Sequence, residues 1–369
     1  MSATENGSPS PNHAARLAAC RAAMAADGIE HFLITQPHDA FYLTGFSGED
    51  SAVLIAPSRI HVITDARFRQ AAERETPWAR RWIRKMWLSD EIANACKRLR
   101  LECVWVQPEH VTLAFWRELL TKCRPTKFKK APPIIGKLRR RKDDLELRIL
   151  QQSIDVAQNA FLSVKRHIRP GRTEQELAAR LEYEMKRRGA SEPAFKCICA
   201  EGPNASSPHA ATTDRVIRRG SAVLFDWGAR YGHYCSDLTR VVFVGSIPAE
   251  IGRMYRVALE AQARAIAAIR PGRRMCDVDQ VARGHIDRSG YKKKFAHGLG
   301  HGLGLDVHEA PALSWRSKEE MEAGMVVTVE PGIYLPGVGG VRVEDDVLIT
   351  PDGGQLLTSL PRNIEAMVV

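Results

Sequence analysis

Apolar positions along the chain fall into two textures. Over residues 14–27 (AARLAACRAAMAAD) small apolar residues recur at helical spacing and stop before Gly28, which predicts a helix with a glycine end. Short β-branched runs follow: His31-Phe-Leu-Ile-Thr35, Ala52-Val-Leu-Ile55 and Ile60-His-Val-Ile-Thr64, each of strand length. This mixture predicts a small α/β domain. The pattern breaks at Ala131-Pro132-Pro133, and from Asp143 (DDLELRILQQSIDVAQNAFLSVKRHI) a long helical period takes over. A boundary is therefore expected near residue 135. Residues 1–12 (MSATENGSPSPN) read as a disordered tail, so the expected segments are 1–12, 13–135 and 136–369.

Beyond the boundary the pattern repeats. Ile168-Arg-Pro-Gly-Arg172 returns as Ile269-Arg-Pro-Gly-Arg273, each time between two long helical stretches. After each second helix stands a glycine with an acid six residues on, Gly220 with Asp226 and Gly324 with Glu330. Order, flanking helices and spacing agree, so the expected shape is a duplicated helix-helix-hairpin unit related by a pseudo-two-fold axis.

Composition narrows the class. With 369 residues, 44% apolar and 26% charged, the chain suits a soluble protein of two domains rather than a fibrous or disordered one. No apolar run approaches the ~18 residues of a spanning helix, and the start has neither a basic nor an apolar leader segment. Eight scattered cysteines then read as reduced thiols in a cytoplasmic, non-membrane protein, with Cys197 and Cys199 as buried strand thiols. The formal charge of +11 is concentrated: residues 122–142 hold ten Lys/Arg and no acid. Without an aromatic stacking series, that run reads as a solvated linker and helix start, and nucleic acid is set aside as a partner.

The acids carry the chemistry. Two β-rich runs flank Tyr231-Gly232, and pairing centred there sets Asp226 opposite Asp237, with Cβ atoms about 5 Å apart on one face. Around Gly337 the same reasoning opposes Glu330 to Glu344. Four carboxylates crowded on an apolar face are destabilising unless protonated, paired or metal-bound, and two divalent cations would neutralise them. The competing reading pairs each acid with Arg240 or Arg342 on an exposed strand; the apolar surroundings and the repetition of the device disfavour it. Imidazoles come from His297, His301 and His308, in a stretch with glycines at 298, 300, 302 and 304. Those glycines make a helical zinc motif improbable and predict an extended segment whose backbone approaches a site closely.

At these residues the sequence resembles the pita-bread metallopeptidases, the family of creatinase, prolidase (Xaa-Pro dipeptidase), aminopeptidase P and methionine aminopeptidase. The motifs are Asp226-Trp-Gly-Ala-Arg-Tyr, Cys235-Ser-Asp237-Leu-Thr-Arg, Gly300-His301-Gly302 with Val307-His308-Glu309, Thr328-Val-Glu330-Pro-Gly-Ile-Tyr334, and Val341-Arg-Val-Glu344-Asp-Asp. Phe41-Tyr-Leu-Thr-Gly-Phe46 and Thr64-Asp-Ala-Arg67 look more loosely like the creatinase/prolidase N-terminal domain. The implied fold is a small α/β domain followed by a pita-bread α+β catalytic domain.

Carried over residue by residue, the resemblance implies that Asp226 holds one metal, that Asp237 and Glu344 bridge both, and that His301 and Glu330 complete the second. It selects His301 over His297. His209 and His308 match two imidazoles that line the substrate cleft, Glu330 could shuttle the proton to the leaving nitrogen, and Arg342 is a possible substrate contact. With four carboxylates and one imidazole the donor set favours two Mn²⁺ ions, with Co²⁺, Fe²⁺ or Zn²⁺ as alternatives. The implied activity is hydrolysis of the Xaa-Pro bond at the N-terminus of short proline-containing peptides by metal-activated water, closest to bacterial Xaa-Pro peptidases, in a homodimer. Arg often follows the His-Glu-Xaa-Pro segment in the dipeptidases, but Ala312 stands here, which weighs against strict dipeptide preference. The alternative from another class is an inactive, peptidase-like scaffold that binds partners through 122–142.

Overall fold

The computed structural model describes residues 10–369, so most of the tail expected over 1–12 lies outside the described residues. Its last two residues do not belong to a tail. Pro11 and Asn12 open helix α1 (Pro11–Ala26), proline suiting a first helical turn because its missing N–H would have no partner there. The chain divides into two compact units, the first ending at Arg139 and the second running Arg140–Val369.

In the first unit α1 leads to β1 (Phe32–Ile34), α2 (Pro37–Thr44), β2 (Ala52–Ile55), β3 (Ile60–Asp65), α3 (Arg69–Glu75), β4 (Arg80–Arg84), α4 (Leu88–Leu99), β5 (Cys103–Val106), α5 (Leu113–Lys122), β6 (Lys127–Lys130) and α6 (Ile134–Arg139). The strands form one sheet in the order β4-β3-β2-β1-β5-β6, with β1, β2 and β3 antiparallel and the outer pairs parallel. The β-branched runs make its buried centre, packing Leu33, Leu54 and Ile63 against Ile92 of α4 and Leu119 of α5. The basic run is not a solvated linker. Its middle is edge strand β6, with Phe128 inward and three lysines outward, a charge pattern that discourages pairing with another chain. Two cations near its end are buried: Arg139, whose Nη1 donates to Asp39 Oδ1 at 2.8 Å, and Lys142, inside the second unit.

The second unit begins with α7 (Asp144–Lys165), α8 (Glu174–Arg187), β7 (Glu192–Pro193), β8 (Ile198–Glu201), β9 (Ala222–Trp227), β10 (Ala229–Tyr231), β11 (Tyr234–Cys235) and β12 (Leu238–Phe243). A second set follows: α9 (Ala249–Ala268), α10 (Met275–Ile286), β13 (Gly300–Gly302), β14 (Glu309–Leu313), β15 (Val326–Val329), β16 (Gly332–Leu335), β17 (Gly339–Arg342), β18 (Asp345–Thr350) and β19 (Gly353–Leu356). The repeat seen in the sequence is a repeat of bonds. Gly171 N–H donates to Ile217 O at 3.0 Å and Gly272 N–H to Met321 O at 2.8 Å. Ile217 N–H returns to Arg172 O as Met321 N–H does to Arg273 O, and Gly220 N–H to Val244 O as Gly324 N–H does to Ile349 O. Two halves folded on one plan around a shared apolar core make the pita-bread architecture.

The first hairpin corrects the expected register. Its turn is Gly232-His233, both at positive φ (54° and 74°), so Tyr231 pairs with Tyr234, and Asp226 faces Thr239 rather than Asp237. A slip of two residues keeps the side-chain face, so Asp226 and Asp237 remain diagonal neighbours. The second hairpin has the expected register, Gly332 pairing with Arg342. Among the described residues no helix is long and apolar enough to cross a membrane, and all eight cysteines are free.

Candidate metal centre

Asp226 is the next-to-last residue of β9, Asp237 precedes β12, His301 is the middle of β13, Glu330 follows β15, and Glu344 sits between β17 and β18. All five line one cavity of about 420 Å³, together with His209, His308 and Arg342. The structure thus brings together every residue singled out for the site. Asp237, His301 and Glu344 each offer a ligand atom within 4.8 Å of the others, a grouping that suits a metal ion.

Local chemistry explains the placement. Gly300 is needed because a Cβ there would meet Thr328 O at 1.9 Å, and this close approach lets His301 reach the carboxylates. His301 Nδ1 lies 3.1 Å from Gly302 O, an atom that only accepts, so Nδ1 carries the proton. The free Nε2 then faces Asp237 Oδ2 and Glu330 Oε1, each at 3.5 Å. His297, which spacing alone left equivalent, has both nitrogens committed: Nδ1 donates to Gly298 O, and Nε2 lies 2.8 Å from the Tyr334 hydroxyl. His308 packs edge-on against His301 with ring centroids 4.3 Å apart.

The carboxylates are not self-sufficient. Burial pushes the carboxyls of Asp226, Asp237 and Glu330 upward, and that of Glu344 to about 8. Arg342 is the buried cation beside them, and it donates to Asp226 Oδ2 at 2.5 Å, the Tyr334 hydroxyl at 2.7 Å, Thr239 Oγ1 at 3.0 Å and Pro208 O at 3.2 Å. One buried cation, with Lys196 on the exposed rim, against four acids leaves an excess of negative charge. Asp226 Oδ1 and Asp237 Oδ1 are buried without a hydrogen-bond partner. Burial also lowers His301 to about 4, keeping its lone pair available. Orphaned carboxylate oxygens beside a neutral imidazole fit hard divalent cations.

Several participants were not legible. Thr239 Oγ1 donates to Glu344 Oε2 at 2.6 Å, Asp237 N–H to Asp346 Oδ2 at 3.3 Å, and Thr328 Oγ1 accepts from His301 N–H at 3.1 Å while facing Glu330 Oε1 at 3.4 Å. Tyr334 links Arg342 to His297. Thr239, Thr328, Tyr334 and Asp346 all stand inside the quoted motifs, the one signal that marked their neighbourhood. Phe195 and Ile198 add an apolar wall to the cavity.

Comparison with known proteins gives the family. Residues 148–351 match the model of metallopeptidase family M24, and residues 16–141 match the creatinase/prolidase N-terminal domain. An uncharacterized peptidase, YqhT, of Bacillus subtilis is 35% identical over 337 residues, 91% of this chain and 96% of that protein. A Xaa-Pro dipeptidase of Pyrococcus horikoshii is 41% identical over 250 residues, 68% of this chain and 71% of that one. Among solved structures, a Xaa-Pro dipeptidase from Bacillus anthracis superposes with a TM-score of 0.92 at 34% identity, covering 97% of this chain and 100% of that one. An X-Pro aminopeptidase from Thermotoga maritima gives 0.87 at 36% identity, covering 94% and 100%.

Proposed function

We propose, because the chain belongs to metallopeptidase family M24, that this peptidase holds two divalent cations and hydrolyses the bond between an N-terminal residue and proline in short peptides. The observation that carries the reading is the buried ring of four carboxylates and one imidazole around a cavity, with two carboxylate oxygens lacking any partner. In this reading Asp226 serves one cation, Asp237 and Glu344 serve both, and His301 with Glu330 serves the other. Mn²⁺ suits the oxygen-rich donors best, ahead of Co²⁺, Fe²⁺ or Zn²⁺. Bound there, the cations supply Lewis acidity, acidifying a water and polarising the scissile carbonyl.

The remaining steps belong to side chains. His209 and His308, both exposed on the cavity wall, donate hydrogen bonds to the carbonyl oxygen as it gains negative charge. Glu330 accepts a proton and passes it to the leaving proline nitrogen. Arg342 donates to Asp226, Tyr334, Thr239 and Pro208 and holds Asp226 in place, and from the cavity wall it also serves as a contact for substrate. The apolar wall of Phe195 and Ile198 suits a proline ring. Relatives named as Xaa-Pro dipeptidase and X-Pro aminopeptidase support this substrate class, and homodimeric assembly in the cytoplasm belongs to the same reading. With Ala312 after the His-Glu-Ala-Pro segment, acceptance of Xaa-Pro-Yaa tripeptides alongside dipeptides is part of the proposal.

The test is chelator-stripped protein titrated with Mn²⁺ against a panel of Xaa-Pro dipeptides and Xaa-Pro-Yaa tripeptides. Activity should rise to a plateau near two equivalents per chain. Stoichiometric metal without hydrolysis of any panel member would overturn the substrate reading, and absence of both metal and hydrolysis would favour a scaffold.

A further inference from the structure

We infer that Lys142 and Glu309 form a positioning pair for His308, an inference that rests on the donor role just proposed for that histidine. Lys142 is the last cation of the basic run that the sequence presents as solvated, yet its side chain is 1% exposed. Its backbone N–H donates to Gly324 O at 2.8 Å, beside the bridge between Arg141 and Met325, so the segment is held against the start of the second hairpin. From there the ammonium donates to Glu309 Oε1 at 2.7 Å, and the Glu309 side chain is 9% exposed.

Glu309 directly follows His308 and begins β14. Its carboxylate is tucked under the chain that joins His301 to His308: a Cβ on Gly304 would lie 2.5 Å from Glu309 Oε1, so any side chain there would push the carboxylate aside. On its other side the same stretch is fastened to the first hairpin, Cys235 N–H donating to Gly304 O at 2.8 Å and Arg230 Nη1 to Leu305 O at 3.1 Å. The segment between the two histidines is therefore clamped from both sides. The face turned toward Lys142 rests on a buried ion pair, a contact that packing alone would not require. A buried pair of this kind is weak evidence for stability, because apolar replacements are often neutral or better. What it does provide is a fixed distance between the backbone at Gly324 and the residue beside His308.

The consequence is kinetic. Displacing a hydrogen-bond donor by about 1 Å can cost ~100-fold in rate without altering the binding of the rest of the substrate. Lys142→Met keeps the length of the side chain and removes the ammonium. With a Xaa-Pro dipeptide, it should lower kcat by about 10- to 100-fold, leave KM within about threefold and leave metal content unchanged. The decisive measurement is a double-mutant cycle with His308→Ala. If the pair acts through His308, Lys142→Met adds less than about twofold on the His308→Ala background, whereas an independent structural role multiplies the two losses. Glu309→Gln, which keeps shape and an acceptor, should give a smaller loss of kcat and guards against misfolding of Lys142→Met. In the double variant Lys142→Met/Glu309→Gln the melting temperature should recover while kcat stays low.

Recovery of both would mean the pair only balances buried charge and would overturn the inference. Full activity in Lys142→Met beside a ~100-fold loss in His308→Ala would overturn it too, while sparing the role of His308. Unchanged kcat in His308→Ala itself would remove the donor role, and with it the inference.

Discussion

Asp39 in the first unit and Asp237 in the second are buried to a similar degree, 2% and 4% exposed, and differ in what surrounds them. Asp39 accepts from Arg139 at 2.8 Å and from the Gln107 side-chain amide, with His110 4.0 Å away. Asp237 is surrounded by Glu344, Asp226, Glu330 and Asp346, and one of its oxygens has no partner. The same contrast recurs within the second unit. Asp345, next to Glu344, accepts from Arg240 at 2.6 Å, from Thr358 at 2.5 Å and from Gln262 at 3.0 Å. Acids that serve the fold are matched by donors, whereas the site acids keep oxygens without a partner, which under the proposed function a bound cation would neutralise.

The largest effect that would break this comparison is on turnover. Asp237→Asn and Glu344→Gln should each reduce peptide hydrolysis to background with Mn²⁺ present, since each removes charge while keeping volume. In chelator-treated protein the same changes should raise the melting temperature, because a poorly compensated charge is gone. Full activity with stoichiometric metal would end the ligand assignment. Next in size, His209→Ala and His308→Ala should lose about 100-fold in turnover with metal content unchanged. Loss of a metal from either variant, read beside the kinetics, would move that histidine among the ligands.

Asp39→Asn tests the other side of the comparison. It removes the carboxylate charge facing the buried Arg139 guanidinium, which should cost about 3–5 kcal/mol in denaturant unfolding, with or without metal. A variant as stable as the wild type would show that this pair does not hold the first unit together. The smallest effect concerns His61, buried in the first unit, where Nδ1 accepts from Trp82 Nε1 at 3.1 Å and so needs the neutral ring. Burial, with Arg80 and Arg59 nearby, lowers His61 to about 4, against about 6.5 in an unfolded chain. The unfolded state therefore binds the proton first, so this contribution is complete above pH ~6.5 and is lost as the pH falls toward 4. His61→Gln should flatten the pH dependence of the melting temperature in that window. An unchanged slope would assign it to other groups.

The strands of the first unit could be read because β-branched runs of strand length have few other uses, and the site because its acids repeat at fixed distance from a glycine. The register of the first hairpin could not. Its turn places His233 at positive φ, where Gly, Asn or Asp would have announced it, and the expected centre fell one residue early. The carboxylates converge all the same, because a slip of two residues restores the face. Arg139 and Lys142 were hidden for another reason. Their partners lie 100 and 167 residues away in sequence, and a run of like charge carries no mark of which members will be buried. His297 and His301 could not be separated by spacing, since what distinguishes them is the Tyr334 hydroxyl, 37 residues from His297.

The bonds that join the acids across the two halves also bear on the order of folding. Thr239 to Glu344, Asp237 to Asp346 and Arg342 to Asp226 close chain segments of 105, 109 and 116 residues. Contacts of such separation form late, after local helices and hairpins have narrowed the search. At the proposed metal site, cation capture would then follow the docking of the halves. Divalent metal should accordingly slow unfolding while leaving the refolding rate nearly unchanged, so that in this chain the ion acts as a latch on the finished fold and not as its nucleus.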